Sequence, residues 1–310
     1  MSKAVVTECK PAESTGVSIV VPAYNEAQGI ELTLGQIMDT LQKMEQPGEI
    51  IVVDDGSDDE TGNVARAAGA KVVRHPINSG YGRSLITGIE IANYDTVVIV
   101  DADGTYPIEQ LPELLSFFRT GFDMVVGARQ GRHYRGSLMK WILRGVFRFL
   151  VEFTCGRSIP DINSGFRIFS RRKALAYLPS YATGFSFTTT ITLLFMLNNH
   201  FVGYLPITYK KRYGKSKVRL LRDTLRSLQI VMTAIAQYNP LKLFLLQIAL
   251  CLSVNVVLIV GSLCNVENVS YWTNRGITVW NIMNVLMSMA ILSLVLVKPR
   301  KGNIADVGSE

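Results

Sequence analysis

Val97 to Pro107 reads VVIVDADGTYP, four apolar residues followed by two aspartates with one alanine between them. Carboxylates at such a strand end serve one of two chemistries. The first Asp of a DxDGT loop can attack phosphorus as a nucleophile, or both carboxylates can hold a divalent cation against a diphosphate. Alternation along an extended segment puts Asp101 and Asp103 on the same side, with Ala102 between them. Hard carboxylate oxygens suit Mg²⁺ or Mn²⁺, which bind through one or two carboxylates and take substrate phosphates for the rest. Two further polar loops, PAYNE (22–26) and DDGSDD (54–59), carry the same kind of side chain.

Up to about residue 216 the chain alternates strand and helix patterns. VSIVV, EIIVVD, AKVVR, TVVIVD and DMVVGA are nearly continuous apolar runs, as expected of strands covered on both faces. Between them 27–44, 59–68, 81–91 and 108–119 read as helices. That order predicts a mostly parallel α/β sheet, whose ligands bind beyond the carboxyl ends of the strands. PAYNE follows the first strand, DDGSDD the second and DADGT the fourth, so all three converge on one edge. This order argues against the nucleophile chemistry. A phosphatase of the haloacid-dehalogenase type needs its DxD on the first strand, whereas DADGT ends the fourth, after another acidic loop. Residues 1–16 read as a loose tail.

Charge is distributed unevenly around a formal net of +7. No acid lies between Asp123 and Glu152, while Arg129, Arg132, Arg135, Lys140, Arg144 and Arg148 all do. Lys210 to Arg226 holds eight basic residues against Asp223 alone. Such clusters meet phosphates of nucleotides, lipids or nucleic acids, or form a solvated face. No recognition motif or aromatic-interleaved basic segment supports nucleic acid. The four cysteines show no ligand spacing and no paired framework, which fits a reduced compartment. His75, His133 and His200 form no ligand or base pattern and read as structural or solvated.

Beyond this point the pattern changes. Residues 217–240 read as an amphipathic helix, with Val218, Leu221, Leu225, Leu228, Met232 and Ile235 on one stripe and Lys215, Arg219, Arg222 and Arg226 on another. It suits the headgroup plane of a membrane, or packing against the preceding domain. Leu241–Leu263 and Ile277–Val297 are uncharged after Lys242, and the first is about 35 Å long as a helix, enough to cross a bilayer. Gln247, Asn255, Asn281 and Asn284 lend some weight to the alternative of a buried hairpin in a soluble protein. Both outer flanks are basic, including Lys298, Arg300 and Lys301. The positive-inside rule then predicts an integral membrane protein with its large domain and its tail (298–310) on the cytoplasmic face. No N-terminal signal pattern is visible, so insertion would rely on the hairpin itself.

VPAYNE, VVDDGSDD, NSGYGRS, DADGTYP, GAR, DINSGFRIF and RYGKSK resemble family 2 glycosyltransferases of the GT-A fold. Together they narrow the resemblance to the dolichol-phosphate mannosyltransferase-like group, the polyprenyl-phosphate glycosyltransferases, over about 17–217. The resemblance implies a GT-A domain at 17–216, a Rossmann-like, mostly parallel sheet, followed by the interfacial helix and the two-helix transmembrane hairpin. It implies single-sugar transfer from a UDP- or GDP-linked sugar to polyprenyl phosphate, with Mg²⁺ or Mn²⁺ and inversion of configuration. The QxxRW motif of the processive synthases is missing.

Residue by residue, the resemblance implies that Pro22, Tyr24 and Glu26 form the first donor-binding loop, and that Val53 and Asp55 contact base and ribose. Asp101, Ala102 and Asp103 form the diphosphate and metal loop. Thr105 stands where relatives often carry a glutamine ligand, a poorer donor whose deficit water would make up. Arg129 matches a phosphate-contacting arginine and Lys217 the terminal lysine of the later basic motif. For the preceding cation, spacing selects Lys211 and residue type selects Arg212. Asp161 matches an Asp near the acceptor, as a base or as an orienting group, with Gly165 and Phe166 shaping its turn. Arg129, Arg132 and Arg135 are placed to draw in a lipid phosphate. A catalytically inactive membrane scaffold stays open as an alternative, and so does a homo-oligomer.

Overall fold

A computed structural model of the chain describes residues 13–130, 138–177, 187–210, 220–263 and 269–296. They form two compact units that divide between Ser227 and Leu228.

In the first unit, seven strands form one sheet in the order β3-β2-β1-β4-β6-β5-β7. β1 (Glu13–Ala23), β2 (Gly48–Asp54), β3 (Lys71–Arg74), β4 (Tyr94–Ile99) and β5 (Met124–Gln130) are the five apolar runs of the sequence. β1 reaches back to Glu13 across a register shift between Glu13 and Val17, ahead of the expected domain start at Val17. β1 lies between β2 and β4, parallel to both. β6 (Arg167–Ser170) is antiparallel to β4 and β5, and β7 (Val202–Thr208) closes the other edge parallel to β5.

Alternation divides the core between the two faces of the sheet. On one face, Val17, Ile19 and Val21 of β1 pack with Ile30, Leu34 and Ile37 of α1 (Ala27–Lys43) and with Leu111 and Leu114 of α4 (Leu111–Phe118). On the other, Val20, Ile51, Val97 and Ile99 meet Leu85, Ile86 and Ile89 of α3 (Tyr81–Glu90) and Ile191 and Phe195 of a later helix. The C-terminal halves of β2 and β4, residues 17–23 of β1 and most of β5 are buried on both faces, which is why they read as apolar runs, whereas β3 and β7 at the edges stay partly exposed. α2 (Thr61–Ala67) joins β2 to β3. α5 (Leu138–Cys155), α6 (Arg171–Tyr177) and α7 (Phe187–Leu197) complete this unit.

α8 (Leu220–Tyr238) carries the chain from the first unit into the second, with Val231, Ile235 and Ala236 buried near its end. α9 (Pro240–Leu263) and α10 (Val269–Leu296) then pack as a pair. Each contains an 18-residue window long and apolar enough to span a membrane, 240–257 and 276–293. Their outer faces expose Leu245, Ile248, Leu252, Val279, Ile282 and Leu286. Gln247, Cys251, Asn284 and Ser288 meet between the helices. Gln247 Nε2 donates to Asn284 O (2.9 Å) and Ser288 Oγ (2.7 Å), and Cys251 Sγ donates to Asn284 Oδ1 (2.6 Å). Such pairing across a helix interface is how amide side chains are accommodated in lipid. Apolar outer faces with Gln247 and Asn284 paired inside fit a membrane hairpin, while Asn281 is exposed and Asn255 Nδ2 donates to Cys251 O of its own helix.

Candidate active site

Three loops meet beyond the carboxyl ends of β1, β2 and β4. The first two are tied to each other. Asn25 takes a left-handed backbone (φ 49), which its short amide tolerates. Its N–H donates to Ser57 Oγ (3.0 Å), its Oδ1 accepts from Asp58 N (2.9 Å), and Glu26 N donates to Thr61 Oγ1 (2.9 Å). Pro22 is buried on β1 opposite Val53, while Tyr24 and Glu26 are half-buried in the loop above. Val53 is fully buried in the core.

Asp55 is also buried, and its carboxylate is engaged on both oxygens. Oδ1 accepts from Ser79 N (2.9 Å) and pairs with His75 Nδ1 (2.7 Å), and Oδ2 accepts from Gly80 N (2.7 Å). The far nitrogen of His75 lies 3.0 Å from Thr87 Oγ1. His75, read from sequence as structural or solvated, therefore braces the second loop.

The DADGT loop rests on α1, where Thr33 Oγ1 donates to Ala102 O (3.2 Å). Asp103 is buried, and its Oδ1 accepts from Thr105 N (3.1 Å) and Thr105 Oγ1 (2.5 Å). Thr105, the candidate third ligand, is thus placed as a donor that orients Asp103. Asp101 is half-exposed, and its Oδ1 accepts from the Tyr81 hydroxyl (2.9 Å). Burial, and then the Asp101 charge, push the Tyr81 phenol well above its ordinary pKa, so it stays a donor.

Gly165 approaches Asp101 from the 161–166 loop. A Cβ built at Gly165 falls 2.7 Å from both Asp101 carboxylate oxygens, too close for any side chain. Its N–H donates to the Tyr106 hydroxyl (2.6 Å). Gly165→Ala should therefore displace Asp101. Since misplacement by about 1 Å costs about 100-fold, kcat should fall by about that factor while unfolding temperature changes little. Steady-state kinetics beside thermal melts check this; an unchanged kcat would show that the close approach is incidental.

Asp161 and Arg129 meet across 32 residues of sequence. Arg129 Nε and N donate to Asp161 Oδ2 (2.7 and 3.1 Å), Arg129 Nη2 to Oδ1 (2.9 Å), and Asn163 N also to Oδ1 (3.1 Å). Burial pushes the Asp161 carboxyl up, but the Arg129 guanidinium and the backbone N–H donors outweigh it and hold the pKa below the ordinary value. Arg129 also lies over the Tyr209 ring, 5.4 Å from its centroid. The sequence left Asp161 as a base or as a group orienting its loop or a phosphate-binding arginine; the structure pairs it with Arg129.

Arg167 lies within the DINSGFRIF motif, but the sequence assigned it no role. It is fully buried, and its guanidinium donates to the carbonyls of Ile162 (3.2 Å), Ser164 (2.5 Å) and Thr188 (3.1 Å) and to Thr192 Oγ1 (2.9 Å). It fastens the 161–166 loop to α7. Arg132, Arg135, Lys211, Arg212 and Lys217 lie outside the described residues.

The donor set fits a divalent cation of the Mg²⁺ or Mn²⁺ kind. Two carboxylates share one loop, and among the described residues no group of three His, Cys, Asp or Glu forms a complete protein cage. Ions of this kind take one or two carboxylates and draw the rest of their shell from substrate phosphates and water.

A mostly parallel α/β sheet with one inserted antiparallel strand and a DxD loop at the end of a central strand defines a GT-A-like domain. A crystal structure of glucosyl-3-phosphoglycerate synthase from Mycobacterium tuberculosis, in complex with Mg²⁺ and uridine diphosphate, shares this fold. Its TM-score is 0.60 at 22% identity, covering 71% of this chain and 79% of that one. Residues 18–178 match the family model for glycosyl transferase family 2, and the chain belongs to that family. It is similar to a low-salt glycan biosynthesis hexosyltransferase, Agl6, of Haloferax volcanii, with 30% identity over 221 residues, 70% of this chain and 53% of that one. It is also similar to an undecaprenyl-phosphate mannosyltransferase of Micrococcus luteus, with 29% identity over 218 residues, 65% of this chain and 87% of the other. The chain thus spans about half the length of the first of these relatives. The haloacid-dehalogenase-type alternative finds no support in strand order or in family.

Proposed function

We propose that this chain is a membrane-bound glycosyltransferase that moves one sugar from a nucleoside-diphosphate sugar to polyprenyl phosphate, inverting the anomeric configuration. The M. luteus relative, named for undecaprenyl phosphate, supports the acceptor class, and the α9–α10 hairpin supports a lipid one. The first two loops and Tyr24 would take the nucleoside. Asp101 and Asp103 would hold Mg²⁺ or Mn²⁺, which when bound neutralises charge developing on the diphosphate.

The observation that carries the acceptor reading is the occupancy of Asp161. A carboxylate held by Arg129 on both oxygens, with its pKa below the ordinary value, is a weak base. An alcohol acceptor needs a base to take its proton. A phosphate monoester, with a second pKa of about 6, already offers an anionic oxygen near pH 7. That oxygen would attack the anomeric carbon as the bond to the diphosphate breaks, leaving a phosphodiester and a free nucleoside diphosphate. Asp161 then orients Arg129 and its loop, and Arg132 and Arg135 would help draw in the lipid phosphate. Purified enzyme offered polyprenyl phosphate and the matching alcohol should glycosylate the phosphate alone. Equal transfer to the alcohol would reject this reading and return Asp161 to the role of base.

The basic flanks of the hairpin support an orientation with the large domain and the tail on the cytoplasmic side and α8 in the headgroup plane. With the four native cysteines replaced, a single cysteine at Tyr271 should react with an impermeant maleimide from outside sealed cells. One after Lys301 should not. Outside labelling of the tail would contradict the hairpin topology.

A further inference from the structure

We propose that Tyr81 is the positioning residue of Asp101, and that Asp55 and His75 serve this same device by fixing the turn on which Tyr81 stands. This rests on the reading of Asp101 as a metal and diphosphate ligand.

Tyr81 is the first residue of α3, directly after Gly80, whose backbone (φ 94) is one that side chains disfavour. The turn entering α3 is held from below, because Asp55 receives both Ser79 N and Gly80 N on its carboxylate. Asp55 is braced in turn by His75, itself bonded to Thr87 within α3. From this fixed turn the Tyr81 hydroxyl reaches across to Asp101 Oδ1 (2.9 Å). On the other side, the Asp101 carboxylate occupies the space that Gly165 leaves open, where a Cβ would fall 2.7 Å from both of its oxygens. Asp101 is therefore gripped between the strand-2 side of the domain and the DINSGF loop. Its partner Asp103 takes its orientation from Thr105 within its own loop. The geometry assigns the two carboxylates different supports: one local, one reaching back through Tyr81 to the second loop. A nucleoside seated on that loop would sense the position of Asp101 through the same chain of bonds.

The test measures Mn²⁺ binding beside thermal unfolding. Tyr81→Phe removes one hydroxyl and keeps the ring. Mn²⁺ affinity, read by electron paramagnetic resonance with UDP and again with GDP, should fall about 10- to 100-fold, the usual cost of losing a partner that orients a ligand. The unfolding temperature without metal should stay near that of the parent protein. In an Asp101→Asn background the same substitution should add little, because its target is already gone. Wild-type Mn²⁺ affinity in Tyr81→Phe would overturn the assignment and leave the proposed function standing. A lowered unfolding temperature with unchanged Mn²⁺ affinity would also overturn it, in favour of a purely structural tyrosine. Failure of the parent protein to bind Mn²⁺ with either nucleotide would overturn the metal site itself, and the assignment with it.

Discussion

Asp103→Ala should cut sugar transfer by roughly 10²- to 10³-fold or more, the scale set by removing one group that stabilises charge in a closed site. Asp103 is buried and accepts two hydrogen bonds from Thr105, so alanine also leaves those donors unpaired, at about 1–3 kcal/mol of stability. Asp103→Asn separates the two effects. The amide oxygen can still accept from Thr105, whereas the negative charge is lost. Asn should therefore melt close to the parent protein and lose nearly as much activity as Ala. Radiolabel transfer and thermal melts on both variants check this. Retention of activity by Asp103→Asn, with or without EDTA, would remove the charge of Asp103 from the mechanism.

Asp161→Ala should be the most destabilising single change in the site. Asp161 has a side-chain exposure of 2% and its partner Arg129 15%, so removing the carboxylate strands a largely buried guanidinium. Breaking such a pair costs about 3–5 kcal/mol. Its pH dependence has a definite sign. The folded-state pKa of Asp161 lies below the unfolded value of about 3.9. The pair's contribution is therefore fully present above the unfolded pKa and is lost as pH falls through the folded one. The stability gap between parent and Asp161→Ala should be flat from pH 7 to about pH 5, then close below about pH 4. Denaturant melts across that range measure it. A gap that widened on acidification would mean that the carboxyl is protonated in the folded state near neutrality.

Much of this molecule is legible in its sequence because burial on both faces leaves a simple mark. β1, β2 and β4 each carry an unbroken apolar run (19–23, 50–53 and 97–99), and a polar loop of the candidate site follows each. β6 left no such mark. It is four residues long and begins with Arg167, a residue type that ordinarily marks a surface. The carbonyls of Ile162, Ser164 and Thr188 and the Thr192 hydroxyl, supplied by the folded loop and by α7, make burial of that guanidinium tolerable. β7 carries Gly203 and Pro206, both strand-weakening signals, and it survives because it is an edge strand paired on one side with β5.

The site shows the same division. The loops could be assigned from strand order, but not the bonds between them. Arg129 and Asp161 are 32 residues apart, Tyr81 and Asp101 20, and nothing in local pattern says that either pair meets. Thr105 looks like a weak ligand until its hydroxyl is seen on Asp103. In the hairpin, Gln247 and Asn284 count against a membrane when read singly, yet they face each other across 37 residues and favour one when read as a pair.

The central claim is metal-assisted transfer of a single sugar to a lipid phosphate, and one measurement addresses it directly. The purified full chain is given labelled UDP- and GDP-sugars in turn with polyprenyl phosphate and Mn²⁺, and the label is followed into the organic phase with and without EDTA. The account predicts label in a lipid-soluble phosphodiester with at least one of these donors, formed in Mn²⁺ and abolished by EDTA. Label released only as free sugar, or a lipid product that forms equally well in EDTA, would contradict it.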